Sequence, residues 1–191
     1  MAKRPERKRE ILEALARLLE AAPGGRVTTA ALAREVGVTE AALYRHFPSK
    51  TKMFEALIAF AEDSVFTLAN RIHEQEPDAG RRSLTLIRML LTFAQRNPGI
   101  SRLLAGDALT GEDPRLHARV NQFYQRLETQ LRQFLREQAL QGHRSPPANA
   151  TANLLLAYAE GRIRQYARSG FQASPLEHWE EQRQQLEKVL S

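Results

Sequence analysis

Apolar residues recur along this chain every three or four positions almost without interruption, and no stretch alternates as a β-strand would. Ile11, Leu12, Leu15, Leu18 and Leu19 mark one face of a first helix, which Pro23-Gly24-Gly25 should stop. Two short helices are expected over 29–36 and 40–47, and a long one from Ser49, placed as its N-cap, to about residue 75. After a break at 77–80, Leu84, Ile87, Leu91 and Phe93 predict a helix reaching residue 97, with a shorter one over 100–107. Beyond a loop at 111–114, Leu116, Val120, Phe123, Leu127, Leu131 and Phe134 give a helix of about eight turns. The stretch 142–147 reads as a flexible connection, followed by helices over 148–170 and 175–190. Ser174-Pro175-Leu176-Glu177 has the form of a capping box with proline at the first helical position. Nine helices and no strands define an all-α fold.

The stretch 28–50, TTAALAREVGVTEAALYRHFPSK, carries the chemistry. Two short helices that cross closely need a small residue at the crossing and a turn that accepts positive φ. Ala33 and Gly37 supply these. Val38 should fill the wedge under the turn, Thr39 should cap the second helix, and Leu32, Val36, Leu43 and Phe47 should be core. Thr39, Glu40, Ala41, Tyr44, Arg45 and His46 are then left facing outward. A helix entering the major groove presents its N-terminal residues to base edges while its flanks meet phosphate. Tyr44 and His46 can donate to phosphate oxygens, Lys50 adds a charge in the next first turn, and Thr28 and Thr29 serve from the other side. The combination predicts a helix-turn-helix that binds double-stranded DNA.

Charge supports this. Residues 1–60 hold eleven Lys/Arg against seven Asp/Glu, and five of those cations lie in the first ten positions. A basic arm beside a DNA-reading helix adds affinity by releasing condensed counterions. The chain has no cysteine, so disulfides and thiolate metal sites are excluded. No apolar run is long enough for a bilayer, so a soluble, cytoplasmic protein without membrane contact is expected. His46, His73, His117, His143 and His178 are scattered without metal-ligand spacing, and no phosphate-cradling loop or nucleophile elbow is present. No metal, cofactor or catalytic role is expected. In the last helix Leu176, Trp179, Arg183, Leu186 and Leu190 follow a seam-like 3, 4, 3, 4 spacing. In the helix before it Leu154, Ala157, Tyr158, Gly161 and Gln165 share a face. Either stripe alone could be core. Together they predict a homodimer through a two-fold four-helix bundle, with Leu154, Ala157, Tyr158, Gly161, Trp179, Leu186 and Leu190 at the interface.

The motif ending LYRHF, with a lysine in the following helix, resembles the TetR family of bacterial regulators. That resemblance implies a three-helix DNA-binding head, here 1–48, and a helical dimerisation and partner-binding body, 49–191. EAALYRHFPSKTKMFEALIAFAEDS, RNPGISRLLAGDAL, RVNQFYQRLETQLRQFLRE and YARSGF are similar to the branch of the family concerned with nucleoid occlusion. Members of that branch bind DNA across the nucleoid and, when bound, antagonise assembly of the division protein FtsZ. The resemblance implies DNA contacts at Thr28, Thr39, Tyr44, His46 and Lys50, with Arg4 as an arm. It also implies a site for the FtsZ C-terminal tail beside the long helix and the helix ending at Asn97, using Phe60, Glu62, Arg71, Arg96 and Asn97. Leu68, where a basic residue is expected, and Thr92, where glycine is usual, depart from the branch pattern. The alternative is a ligand-responsive repressor of the same family, whose body would enclose a small-molecule pocket.

Overall fold

The structure, a computed structural model, describes residues 4–22, 24–140 and 146–190, the side chains of Arg4 and Pro5 excepted. Among the described residues the chain forms nine α-helices and no strand: α1 (Arg4–Ala21), α2 (Thr29–Val36), α3 (Glu40–His46), α4 (Lys50–Gln75), α5 (Ala79–Arg96), α6 (Pro98–Ala105), α7 (Pro114–Leu140), α8 (Ala148–Arg168) and α9 (Trp179–Leu190). One turn of 3-10 helix, Asp107–Leu109, leads from α6 toward α7. None of these helices is long and apolar enough to cross a membrane. The flexible connection expected at 142–147 lies largely outside the described residues, as does His143.

Local chemistry sets most of the boundaries. The Thr28 hydroxyl accepts from Ala31 N–H, Thr39 from Ala42, Ser49 from Lys52 and Asp78 from Arg81, each satisfying a donor that the first helical turn would leave unpaired. α2 ends at Gly37, whose φ of +72° lets Val38 N–H reach back to Ala33 C=O at 2.9 Å, and this sets the angle at which α3 departs. Because Asp78 caps α5, Ala79 and Gly80 already belong to that helix instead of forming a break.

The last helix starts later than its sequence suggests. Ser174 Oγ accepts from Leu176 N–H, residues 175–178 form turns, and His178 sits at φ +60° before α9 begins at Trp179. Arg162 on α8 holds this turn: its guanidinium donates to the carbonyls of Ser174 (2.8 Å), Pro175 (3.2 Å) and Glu177 (3.1 Å).

The apolar faces converge in one core running from the head (Ile11, Leu15, Leu32, Leu43, Phe47) through α4 to the α5–α7–α8 layer (Leu86, Leu90, Phe123, Leu127, Leu155, Ile163). Head and body meet where α1 crosses α6. Gly99 lies so close to α1 that a Cβ there would stand 2.0 Å from the Ala16 carbonyl oxygen. One turn on, Arg102 is 1% exposed and donates to Leu19 O (2.9 Å), Ala22 O (2.5 Å) and Gly25 O (3.1 Å), and to Asp107 Oδ2 (2.8 Å). It thereby caps the C-terminus of α1 from the body, with every guanidinium nitrogen engaged.

Candidate nucleic-acid interface

α3 packs on the head through Leu43, fully buried, with Phe47 closing its C-terminus under the ammonium of Lys8, 5.4 Å from the ring centroid. The opposite face carries Thr39, Glu40, Ala41, Tyr44 and Arg45, all exposed, with the Tyr44 side chain open at 42%. Thr28 lies exposed at the start of α2, beside half-buried Thr29. Thr29 Oγ1 donates to Glu40 Oε2 at 2.5 Å, so the N-termini of α2 and α3 are tied together. Thr28 and Thr39 use their oxygens as caps, yet each hydroxyl hydrogen is still available to an outside acceptor. His46 is half-buried and its Nδ1 is enclosed without a partner, which leaves Nε2 as the nitrogen able to reach outward. Arg4 opens α1, but its side chain lies outside the described residues. The result is an exposed face of hydroxyls, a small residue, the Glu40 carboxylate and the Arg45 guanidinium at α3.

Lys50 has a partner that sequence spacing could not reveal. Its Nζ lies 2.5 Å from Glu112 Oε1, in the loop before α7, and 5.5 Å from the centroid of the Phe54 ring. Arg26 joins the cluster, donating to Gly111 O at 3.1 Å and standing 3.7 Å from the same Glu112 oxygen. Glu112 and Arg26 are therefore partners of this cluster that the motif alone missed.

A second surface lies between α4 and α5. Leu68, Thr85, Arg88, Met89, Thr92, Phe93, Arg96 and Asn97 line an open groove of about 530 Å³. Phe60, half exposed, and exposed Arg71 lie on the outward side of α4 with Leu68. Leu68 thus lines this groove, and Thr92 turns its hydroxyl to Arg88 O at 2.8 Å. Asn97 donates its amide to Phe93 O at 2.7 Å, leaving the amide oxygen for other contacts. Glu62 does not join this surface. It faces α7, paired with Arg119 at 2.7 Å, because its position on α4 follows the side that packs Phe66 against Phe123. The hydrogen bond to Glu62 raises the Arg119 pKa.

The expected dimer residues separate into two groups. Leu154, 48% exposed, Ala157, exposed, and Gly161, half-buried, line an open face of α8; a Cβ at Gly161 would meet nothing within 4 Å. Trp179, Leu186 and Leu190 are instead buried in the chain's own core, so their 3-and-4 spacing is an inward stripe and not a free seam. Tyr158 bridges the groups, donating to Gln182 Oε1 at 2.7 Å.

Residues 11–57 match the model for bacterial regulatory proteins of the tetR family, and residues 80–191 that for a tetracyclin repressor-like C-terminal domain. The nucleoid occlusion factor SlmA of Shewanella amazonensis is 53% identical over 186 residues, spanning 96% of this chain and 94% of that protein. The SlmA of a Marinomonas species is 51% identical, spanning 94% and 92%. Among solved structures, a TetR transcription regulator from Haloarcula marismortui superposes with TM-score 0.79 at 20% identity, covering 97% of this chain and 98% of that one. AibR, solved with isovaleryl coenzyme A and operator DNA, superposes with TM-score 0.75 at 17% identity, covering 97% and 100%. At those identities the superpositions establish the fold alone.

Proposed function

Because this chain belongs to the tetR family, in the group of the nucleoid occlusion factor SlmA, we propose that it is a sequence-specific DNA-binding nucleoid occlusion factor and not an enzyme. The observation that carries this reading is an overall identity of 53% in an alignment of 186 residues that spans 96% of the chain, head and body included. A shared helix-turn-helix would account for the head only.

In this reading residues 1–48 form the DNA-binding head and 49–191 the dimerisation and partner-binding body. The α3 surface enters the major groove, with Glu40, Ala41 and the first turn toward base edges. Thr28, Thr29, Thr39, Tyr44, Arg45, His46 and Lys50 meet the backbone, and Arg4 extends as an arm. Two copies associate through the open α8 face, which sets the spacing of the half-sites. Bound along the nucleoid in the cytoplasm, the protein takes the C-terminal tail of FtsZ into the α4–α5 groove at Phe60, Arg71, Arg96 and Asn97, and antagonises FtsZ assembly there. Exposed Leu68, which lines the groove with Arg88 and Arg96, suits a short apolar peptide with acidic residues.

Genome-wide mapping of bound DNA provides the cognate duplex for the test. Purified FtsZ is then polymerised with GTP and sedimented with this protein, with and without that duplex. Loss of polymer that depends on the duplex is the expected result. Polymer yield unchanged by the DNA-bound protein would refute the division role while leaving DNA binding intact.

A further inference from the structure

The two cations that flank the recognition helix share one body carboxylate. Arg26 stands just before the Thr28 cap of α2, and Lys50 is the first residue of α4. Lys50 Nζ is 2.5 Å and Arg26 Nη2 3.7 Å from Glu112 Oε1, while Arg26 also donates to Gly111 O at 3.1 Å. Burial is asymmetric across the cluster. The Glu112 side chain is 10% exposed, that of Lys50 24% and that of Arg26 67%, so the carboxylate sits innermost with the cations on its solvent side. Gly111, at φ +74°, makes the tight turn that delivers Glu112, and a Cβ there would only touch the Arg26 guanidinium at 3.5 Å. The other carboxylate of this loop, Asp113, is occupied by Arg115 at 2.7 Å and does not compete for Lys50.

We propose that Glu112 is an internal stand-in for a DNA phosphate: it holds Lys50 in the free protein and yields it to the backbone when the head docks. This rests on the DNA-binding reading above. One carboxylate among two cations leaves an excess of one positive charge, so an arriving phosphate is drawn to the cluster before the ion pair opens. Lys50 lies at the N-terminus of a 26-residue helix, where an anion is favoured by the same end-of-helix field that now favours Glu112. Exchanging the carboxylate for phosphate frees Glu112 from Lys50, so the loop between the 3-10 turn and α7, still tied to Arg26 through Gly111 O, senses DNA at the head.

The test uses a fluorescein-labelled random-sequence duplex and anisotropy titrations between 50 and 200 mM KCl, because phosphate contacts need no particular sequence. Glu112→Gln should bind three- to tenfold more tightly than the parent. Its salt dependence should also be steeper, by about one ion, since freed Lys50 adds a full phosphate contact. In a Lys50→Met background the same Glu112→Gln change should alter affinity less than twofold. Thermal melting of each variant identifies any that fails to fold, and Glu112→Asp, keeping the charge on a shorter arm, supplies an intermediate affinity. Unchanged or weaker binding by Glu112→Gln overturns the proposal, because Glu112 would then be positioning Lys50 and not competing for it. A gain that persists in the Lys50→Met background overturns it as well, marking a general charge effect. A parent protein that binds no duplex removes the DNA-binding reading itself, which separates that failure from the other two.

Discussion

Replacing Gly99 by alanine tests the head–body joint directly. At this position in α6 a Cβ would lie 2.0 Å from the Ala16 carbonyl oxygen, 2.9 Å from its carbon and 3.2 Å from its Cα. All three are backbone atoms, so no neighbouring rotamer can relieve the clash, and truncating the Ala16 side chain would not help. Since Cβ contacts below 3.0 Å are essentially never found, α1 and α6 must separate by about 1 Å. Forcing a methyl into a packed crossing costs about 1–3 kcal/mol, and a contact between two backbones belongs at the upper end of that range. At 2–4 °C per kcal/mol for a chain of this size, a loss of about 2–3 kcal/mol lowers the melting temperature by about 4–12 °C. The competing effect runs the other way, because alanine is a better helix former than glycine by up to about 1 kcal/mol. The sign of the change therefore decides the matter. Melting followed by circular dichroism should show a clear drop, with helical content retained below the transition. A melting temperature equal to or above the parent's would mean that the crossing yields freely and that the joint is not rigid.

Other consequences are equally open to measurement. Gly161→Leu fills open space in the single chain but not in a close α8 pairing, so it should convert the dimer to monomer in sedimentation experiments; an unchanged dimer would move the interface elsewhere. Arg96→Glu reverses charge in the α4–α5 groove and should abolish the effect on FtsZ while duplex affinity, read by anisotropy, stays at the parent's value. Glu160 has its pKa raised, chiefly by burial, with Glu128 adding to the shift and Arg164 opposing it. Its ionised form is therefore penalised in the folded state, a cost present above the folded-state pKa and absent once the group is protonated. Glu160→Gln should raise the melting temperature at pH 8, and the gain should vanish as the pH falls through the carboxylate range.

What could be foreseen from the sequence divides by the distance over which each interaction acts. Thr28, Thr39, Ser49 and the Gly37 turn each satisfy backbone groups within five residues, so residue type and spacing are sufficient to locate them. The start of α9 is the instructive failure. Ser174 to Glu177 has the form of a capping box, but these residues form turns whose carbonyls bind Arg162, twelve or more residues earlier, a contact that local spacing does not reveal. Glu62 and Lys50 show the same limit, since their partners lie 57 and 62 residues away. The stripe of Trp179, Leu186 and Leu190 fails for another reason. Periodicity says that one face of a helix is apolar, but not whether its own chain or a second copy covers it. The recognition helix is legible because its two core positions, Leu43 and Phe47, fix its inner side by spacing and leave Thr39, Glu40, Ala41, Tyr44 and Arg45 facing out.

Two contacts beside the head–body junction differ in kind, and that difference bears on how DNA could influence the body. At the α1–α6 crossing, backbone touches backbone, and Arg102 is sealed against solvent with its donors spent on the carbonyls of Leu19, Ala22 and Gly25 and on Asp107. Buried contacts of this sort have no outside competitor and are little screened by salt. α1 therefore moves only with α6. The Lys50–Glu112 link is partly exposed and ionic, and phosphate offers Lys50 what the carboxylate offers it. A ligand shifts an equilibrium only through contacts that differ between its two states. On the DNA-binding reading, Lys50–Glu112 has such a difference and the α1–α6 crossing has none. The signal from bound DNA would accordingly enter the body through the loop at Gly111–Asp113 and not by pivoting of the head, and a Glu112→Gln protein should lose most of the DNA dependence of its effect on FtsZ.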